Sequence, residues 1–202
     1  MKKNIKQILV LITICIMGFS SLLKAQTTYK INGSMDLDMK LSGTSTLHKW
    51  AMNARTFNGE AQFGFKADHQ LISLKGLTFS LAVLDLKSGE NGLDKNAYKA
   101  LKNNEYKDIT YKLISATISP EKDNKYLIRA RGSLTIAGVT KEVNMEVQCI
   151  VNDEATITCT GSEKLNMTDY AVKPPTFMLG AMKTGDAITL DFTLVYKKQA
   201  GV

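Results

Sequence analysis

The stretch from Val139 to Val151 constrains the fold of this chain more than any other. Its odd positions are apolar except Lys141, and Thr140, Glu142, Asn144, Glu146 and Gln148 at even positions are polar. A strand sends successive side chains to opposite faces, so this segment has one apolar face and one wet face. Most of the chain after residue 28 repeats the pattern. A sheet with a single apolar face must fold over and cover it. What the covered face encloses is the functional question.

Alternation is clear over residues 31–42, less tidy over 47–56 where His48 and Trp50 fall, and clear again over 57–66. Residues 71–86 are apolar-rich with mixed parity at the start, and Gly76 marks a bulge or bend there. Further strands are expected over 109–113, 126–136, 139–151, 155–160 and 186–196. The pattern changes after 87–92. Leu93, Ala97, Tyr98 and Leu101 recur at helical spacing, predicting a helix over 93–103. Its apolar stripe is narrow, so the helix either packs across a mouth or edge of the sheet or gates a cavity. Residues 164–185 read as irregular, because Pro174 and Pro175 cannot sit inside a central strand. Most neighbouring strands are joined by tight turns, so the sheet is mainly antiparallel. Eight such strands close most simply into a barrel, which removes the exposed edges and can enclose one small ligand.

The first 25 residues are set apart from that domain. Lys2, Lys3 and Lys6 precede an apolar run from Ile8 to Phe19 and a cleavage-like segment ending at Ala25, the form of a secretory signal peptide. The run is too short for a spanning helix, and Ile14 before Cys15 does not make a lipoprotein box. Residues 26–202 then form one domain in a periplasmic or secreted protein. The whole chain is formally +7; the leader carries four lysines and no acid, leaving +3, too mild and too spread for nucleic acid. Cys149 and Cys159 remain, flanking the turn residues Asn152, Asp153 and Glu154. On a hairpin they share a face and a height. Export permits a disulfide there, and two small buried apolar residues is the other reading.

The blocks from Gly43 to Trp50, Leu86 to Gly89, Leu93 to Lys102, Ile109 to Tyr111 and Gly132 to Lys141 come in a familiar order. Asp169-Tyr170, Pro174-Pro175 and Gly185-Asp186 complete it. In this order and spacing the chain resembles the YceI-like family, over about Ile31 to Lys197. The resemblance implies an exported, lipocalin-like barrel with an apolar tunnel that takes an isoprenoid tail. It implies no resident cofactor beyond a bound isoprenoid or quinone, and a non-enzymatic binding role in carriage or sequestration.

If the barrel is lined for a ligand, the alternating faces supply Met35, Leu37 and Met39 from the first strand and Phe63 and Phe65 from the third. Leu77, Phe79, Leu81, Tyr111, Leu113, Ile128, Leu134, Val143, Met145, Val147, Leu190, Phe192 and Leu194 complete the set. The same side chains could fill a solid core. Flexible methionine thioethers suit a pliable tail as well as core gaps. Lys95, Lys99 and Lys102 share a helix face and either approach an anionic head or are simply solvated. Tyr170 reads as a cap on the mouth. His48 and His69 are the only histidines, and neither stands in a catalytic or metal-binding motif. An envelope enzyme or redox-linked protein acting on a lipid or quinone is the rival reading. An outer-membrane barrel is another, set aside because the last strand lacks a closing aromatic and the aromatics form no girdles. Peripheral contact with a membrane and a dimer are both compatible with the sequence.

Overall fold

The computed structural model describes residues 27–31, 38–153, 155–177 and 180–199. Met35, Leu37 and the leader lie outside those residues. The strands are β1 (Thr27–Ile31), β2 (Asp38–Ser45), β3 (Lys49–Ala54), β4 (Asn58–Phe65), β5 (Leu71–Ala82) and β6 (Asp108–Pro120). They continue as β7 (Lys125–Ile136), β8 (Val139–Val151), β9 (Thr156–Asn166), β10 (Thr176–Phe177) and β11 (Met182–Lys198). Among the described residues one α-helix, α1 (Asn91–Ala100), sits in the connection between β5 and β6.

The sheet runs β1-β4-β5-β6-β7-β8-β9-β11 and closes where β1 also pairs with β11, an antiparallel barrel of eight strands. Closure depends on the length of β11. One side of β11 pairs with β9 from Ala187 to Lys197. The other side meets β2 from Thr184 to Thr193 and then β1 from Tyr196 to Lys198. The β2–β3 hairpin therefore fills the upper wall, while β1 fills the lower wall. Asn53 of β3 exchanges backbone hydrogen bonds of 2.8 and 2.9 Å with Lys87, tying the β3 edge to the connection that carries α1.

In β8 the alternation holds through the strand. Val143, Cys149 and Val151 are buried, and every even position from Thr140 to Ile150 is exposed. Ala137 and Gly138 join β7 to β8 with φ of 48° and 82°, the left-handed pair that a two-residue hairpin turn requires. On the outer face, Arg129 pairs with Glu146 at 2.7 Å and Arg131 with Glu142 at 3.1 Å. These side chains are at least half exposed and the pairs contribute little stability. They show that the polar face of this hairpin is outside, the reverse of a lipid-facing barrel. Cys149 and Cys159 are register partners with Cα atoms 4.2 Å apart, and the structure joins them as a disulfide.

Bulges explain the mixed parity. Opposite β4, the register of β5 skips Ile72 and Lys75. Each extra residue reverses the facing of the positions beyond it, so Leu71, Leu74 and Leu81 are all buried while Ile72 and Lys75 are exposed. In β6 the extra residue is Ile114, which is exposed. The inward set changes there from Tyr111 and Leu113 to Ala116 and Ile118. The strand expected over 109–113 therefore continues to Pro120.

Other boundaries also move. Strand β1 precedes the first expected one. The helix starts two residues earlier than expected and ends at Ala100, with turns following to Glu105. The stretch 164–185 is only partly irregular. β9 continues to Asn166, a 3-10 turn spans Met167–Tyr170, and β11 begins at Met182. Gly185, expected at the end of the irregular stretch, lies inside β11 where the register against β2 shifts.

Two packed clusters set the ends of the barrel. Tyr29, Phe63 and Tyr196 meet edge to face, with centroids 5.4 and 5.7 Å apart, at the end away from α1. These rings are nearly inaccessible and plug that end. At the α1 end, Tyr111, Leu134, Ile136, Ala137, Val143, Met167, Tyr170 and Val172 form the second cluster.

Candidate binding cavity

Between the two clusters the inward side chains do not meet at the axis. They surround a cavity of about 460 Å3, within the roughly 300–1,000 Å3 usual for small-molecule sites. Of the side chains expected to line it, Met39, Phe63, Leu77, Phe79, Leu81, Tyr111, Leu113, Ile128, Leu134, Met145, Val147, Leu190, Phe192 and Leu194 form its wall. Phe65 does not; its ring leans on Tyr29, 6.2 Å between centroids. Val143 is also off the wall, packed into the cluster at the α1 end.

The wall contains residues that strand alternation does not single out. Trp50 and Met52 come from β3, Leu93 and Ala97 from α1, and Leu101 from the cap at its C-terminus. The sequence does carry a signal for the last three: their helical spacing marks the face that covers the opening. Glu163 and Leu165 also line the cavity. The odd parity of Ile157 and Cys159 carries through Gly161 to Glu163 and Leu165, so the inner face of β9 bears a carboxylate.

The mouth lies at the α1 end, where Ser45, His48, Glu90, Gly92, Asn96 and Pro175 reach the rim. The helix is fastened there. Asp94, 8% exposed, accepts hydrogen bonds from Ser88 N–H at 2.8 Å and from Ser88 Oγ–H at 2.6 Å. The Tyr98 hydroxyl donates to the Leu86 carbonyl at 2.7 Å and accepts from Lys87 Nζ at 2.9 Å. That bond to Tyr98 raises the Lys87 pKa, and desolvation opposes the rise. The β2–β3 tip is held by Thr46 N–H donating to the Lys183 carbonyl at 3.0 Å. The Trp50 indole donates to the Thr44 carbonyl at 3.1 Å, turning its ring over Gly43.

Below the rim, Tyr111, Tyr170, Tyr196 and Glu163 interrupt the apolar wall. Tyr111 is 7% exposed and Tyr170 2%, and neither buried hydroxyl has a hydrogen-bond partner among the described residues. Burial pushes the Tyr111 pKa up to about 12. Burial does the same for Tyr170, also to about 12, with the Asp169 and Glu163 carboxylates adding to the rise. Glu163 is half-buried, and burial raises its pKa. Among the described residues, none of those lining the wall is a lysine or arginine. Lys95, Lys99 and Lys102 lie off it and are exposed.

The two histidines sit in separate turns. His48 is exposed at the rim, its Nδ1 2.9 Å from the Lys49 carbonyl oxygen. His69 is in the β4–β5 turn with φ of 63°. Among the described residues no group of three or more His, Cys, Asp or Glu is placed to hold a metal ion.

Among solved structures the chain is similar to BcnA of Burkholderia cenocepacia, at 17% identity and a TM-score of 0.60, covering 79% of this chain and 95% of that one. It is similar to a polyisoprenoid binding domain from Saccharophagus degradans implicated in plant cell wall breakdown, at 10% identity and a TM-score of 0.65, covering 85% and 98%. A YceI protein of Campylobacter jejuni matches at 18% identity and a TM-score of 0.53, covering 71% and 82%. At these identities the likeness is one of fold. No curated protein matches the sequence. The sequence does match the YceI-like domain over residues 24–196, nearly all of the barrel, and the chain belongs to that family.

Proposed function

We propose that this protein is an exported, non-enzymatic binding protein that holds an isoprenoid or a similar long apolar lipid inside the barrel, for carriage or sequestration in the cell envelope. The observation that carries this reading is the cavity of about 460 Å3 walled almost wholly by apolar side chains. The similar Saccharophagus degradans domain, described as polyisoprenoid binding, supports the ligand class. The basic, apolar leader supports export to the periplasm or beyond.

The energetics favour a tail over a compact ligand. Burial stabilises the complex by about 0.8 kcal/mol per methylene-sized unit, so one five-carbon isoprene unit contributes about 4 kcal/mol before ordering costs. Association costs about 4–15 kcal/mol, so a few units suffice without a polar contact. Native mass spectrometry of the purified protein tests the reading. An apolar molecule near one per chain, or uptake of a prenyl lipid to that ratio, supports it. Protein that emerges empty and takes up no prenyl lipid refutes it.

A further inference from the structure

The wall of the barrel is interrupted on one flank. β8 and β9 pair only from Val147 with Gly161 to Val151 with Ile157. Toward α1 both strands continue, β8 to Val139 still paired with β7 and β9 to Asn166 still paired with β11. Their facing edges there have no strand partner among the described residues. The cavity reaches this gap, since Met145 and Val147 of β8 and Glu163 and Leu165 of β9 all line it. Glu163 points inward by its parity yet is only half-buried, as a side chain beside an opening is. Below the gap, the Cys149–Cys159 disulfide joins the two strands covalently.

One segment bridges the gap at its upper end. The turn Met167–Tyr170 leaves β9, and Met167, Tyr170 and Val172 pack with Val143 of β8. Thr168 ties this segment to β11, donating to Asp186 from N–H at 2.9 Å and from Oγ1 at 2.6 Å. Two features raise the energy of the packed state. Ala171 holds φ of 52°, in the left-handed region that favours glycine. The Tyr170 hydroxyl is buried with no hydrogen-bond partner among the described residues, and it regains water when the segment lifts. The connection through α1 has more ties: Ser88 donates twice to Asp94, Tyr98 bonds to the Leu86 carbonyl and to Lys87, and Lys87 exchanges backbone bonds with Asn53. Segments with few ties open at lower free energy than the fold as a whole.

We infer that the gap between β8 and β9 is a side portal to the cavity, that the Met167–Val172 segment is its door, and that an apolar guest enters and leaves there rather than past α1. This rests on the proposed lipid-binding role and adds the route to it. The disulfide sets the lower limit of opening, so the seam parts above Cys149 while the aromatic end stays closed. A flank opening lets a long tail slide in along its length, where an end opening must thread it past the helix.

Two matched variants decide between the routes. Asp186→Ala removes both bonds that Thr168 makes to it, and Asp94→Ala removes both bonds from Ser88 on the α1 side. The chain has one tryptophan, Trp50, and it lines the cavity, so its fluorescence follows the guest. Each protein is loaded with geranylgeraniol and mixed with excess phosphatidylcholine vesicles, and the rate of release is read. Asp186→Ala should speed release by at least about tenfold, and Asp94→Ala by about twofold or less. A second measurement needs neither variant. Val172 is 4% exposed, and the native cysteines are joined, so the thiol of Val172→Cys meets a maleimide only when the segment lifts. Labelling should outpace global unfolding, timed by circular dichroism. Labelling no faster than unfolding overturns the inference. So does a release rate that Asp94→Ala raises as much as Asp186→Ala does, because the guest then leaves past the helix. Loaded protein whose release is unaltered by Asp186→Ala removes the side route alone and leaves the lipid-binding role standing. Failure to take up geranylgeraniol at all removes both.

Discussion

Ala130 offers a substitution that separates a hollow barrel from a solid one. It is on β7, 8% exposed, faces inward between register partners Ala116 and Met145, and forms part of the cavity wall. Ala130→Phe projects a ring into the space a tail would occupy. The ring displaces about six carbon positions, each worth about 0.8 kcal/mol to a buried guest, for an upper limit near 5 kcal/mol. A flexible tail slides aside and recovers part of this. A loss of about 2.5 kcal/mol is expected, close to a hundredfold in Kd. Stability behaves differently. In a void the ring gains contacts, and the melting temperature holds or rises. In a filled core the same ring overpacks, costing about 1–3 kcal/mol, or roughly 3–10 °C for a domain of this size. Prenyl-lipid titration by Trp50 fluorescence and thermal unfolding by circular dichroism read the two quantities. A lower melting temperature with unaltered binding would refute the reasoning.

Other predictions test the supporting structure. Replacing Cys149 and Cys159, ten residues apart, by Ala should cost somewhat under about 3 kcal/mol; urea unfolding that does not change on replacement or reduction contradicts the disulfide. Gly132 lies beneath the Tyr111 ring, where a Cβ would overlap it, so Gly132→Ala should cost about 1–3 kcal/mol and Tyr111→Leu should suppress much of that cost. Equal costs in both backgrounds would separate the two residues. Burial raises the Glu163 pKa above its ordinary 4.5, so the folded state holds its proton to higher pH than the unfolded chain, and stability falls as pH rises through that interval. Glu163→Gln should therefore raise the melting temperature at pH 7, with the gain gone below about pH 4; a gain independent of pH sinks this. Asp186 has the opposite sign. Thr168 donates to it from Oγ1 at 2.6 Å and from N–H at 2.9 Å, holding its pKa below the ordinary carboxylate value. Its contribution is present above that value and lost as pH falls through the folded pKa, and Thr168→Ala should flatten this acid limb of the stability profile.

The sequence makes strands legible where alternation is unbroken. β8 keeps one parity from end to end, and its expected and observed limits coincide. β6 does not, because Ile114 bulges out and hands the inner face to Ala116 and Ile118. Odd positions alone lose the strand there. Glu163 is hidden for a different reason. Lys164 and the prolines at 174 and 175 suggest a loop, yet the parity of Ile157 and Cys159 continues through it. Closure is the least local feature. It depends on β11 being long enough to meet β2 and β1 in succession, and no short window of sequence carries that information. Periodicity identifies an inward face but not whether opposing side chains touch. The volume left at the axis depends on barrel size and on the aromatic plug at Tyr29, Phe63 and Tyr196.

The most direct test is to locate the guest. Methyl-labelled protein loaded with an unlabelled prenyl alcohol reports contacts by intermolecular nuclear Overhauser effects. An occupied barrel predicts cross-peaks from Met39, Leu134, Val147 and Leu190, spread over the inner face of separate strands. Cross-peaks confined to exposed Leu47 and Leu84, with none from those four, would place the lipid on the outer surface and contradict an occupied interior.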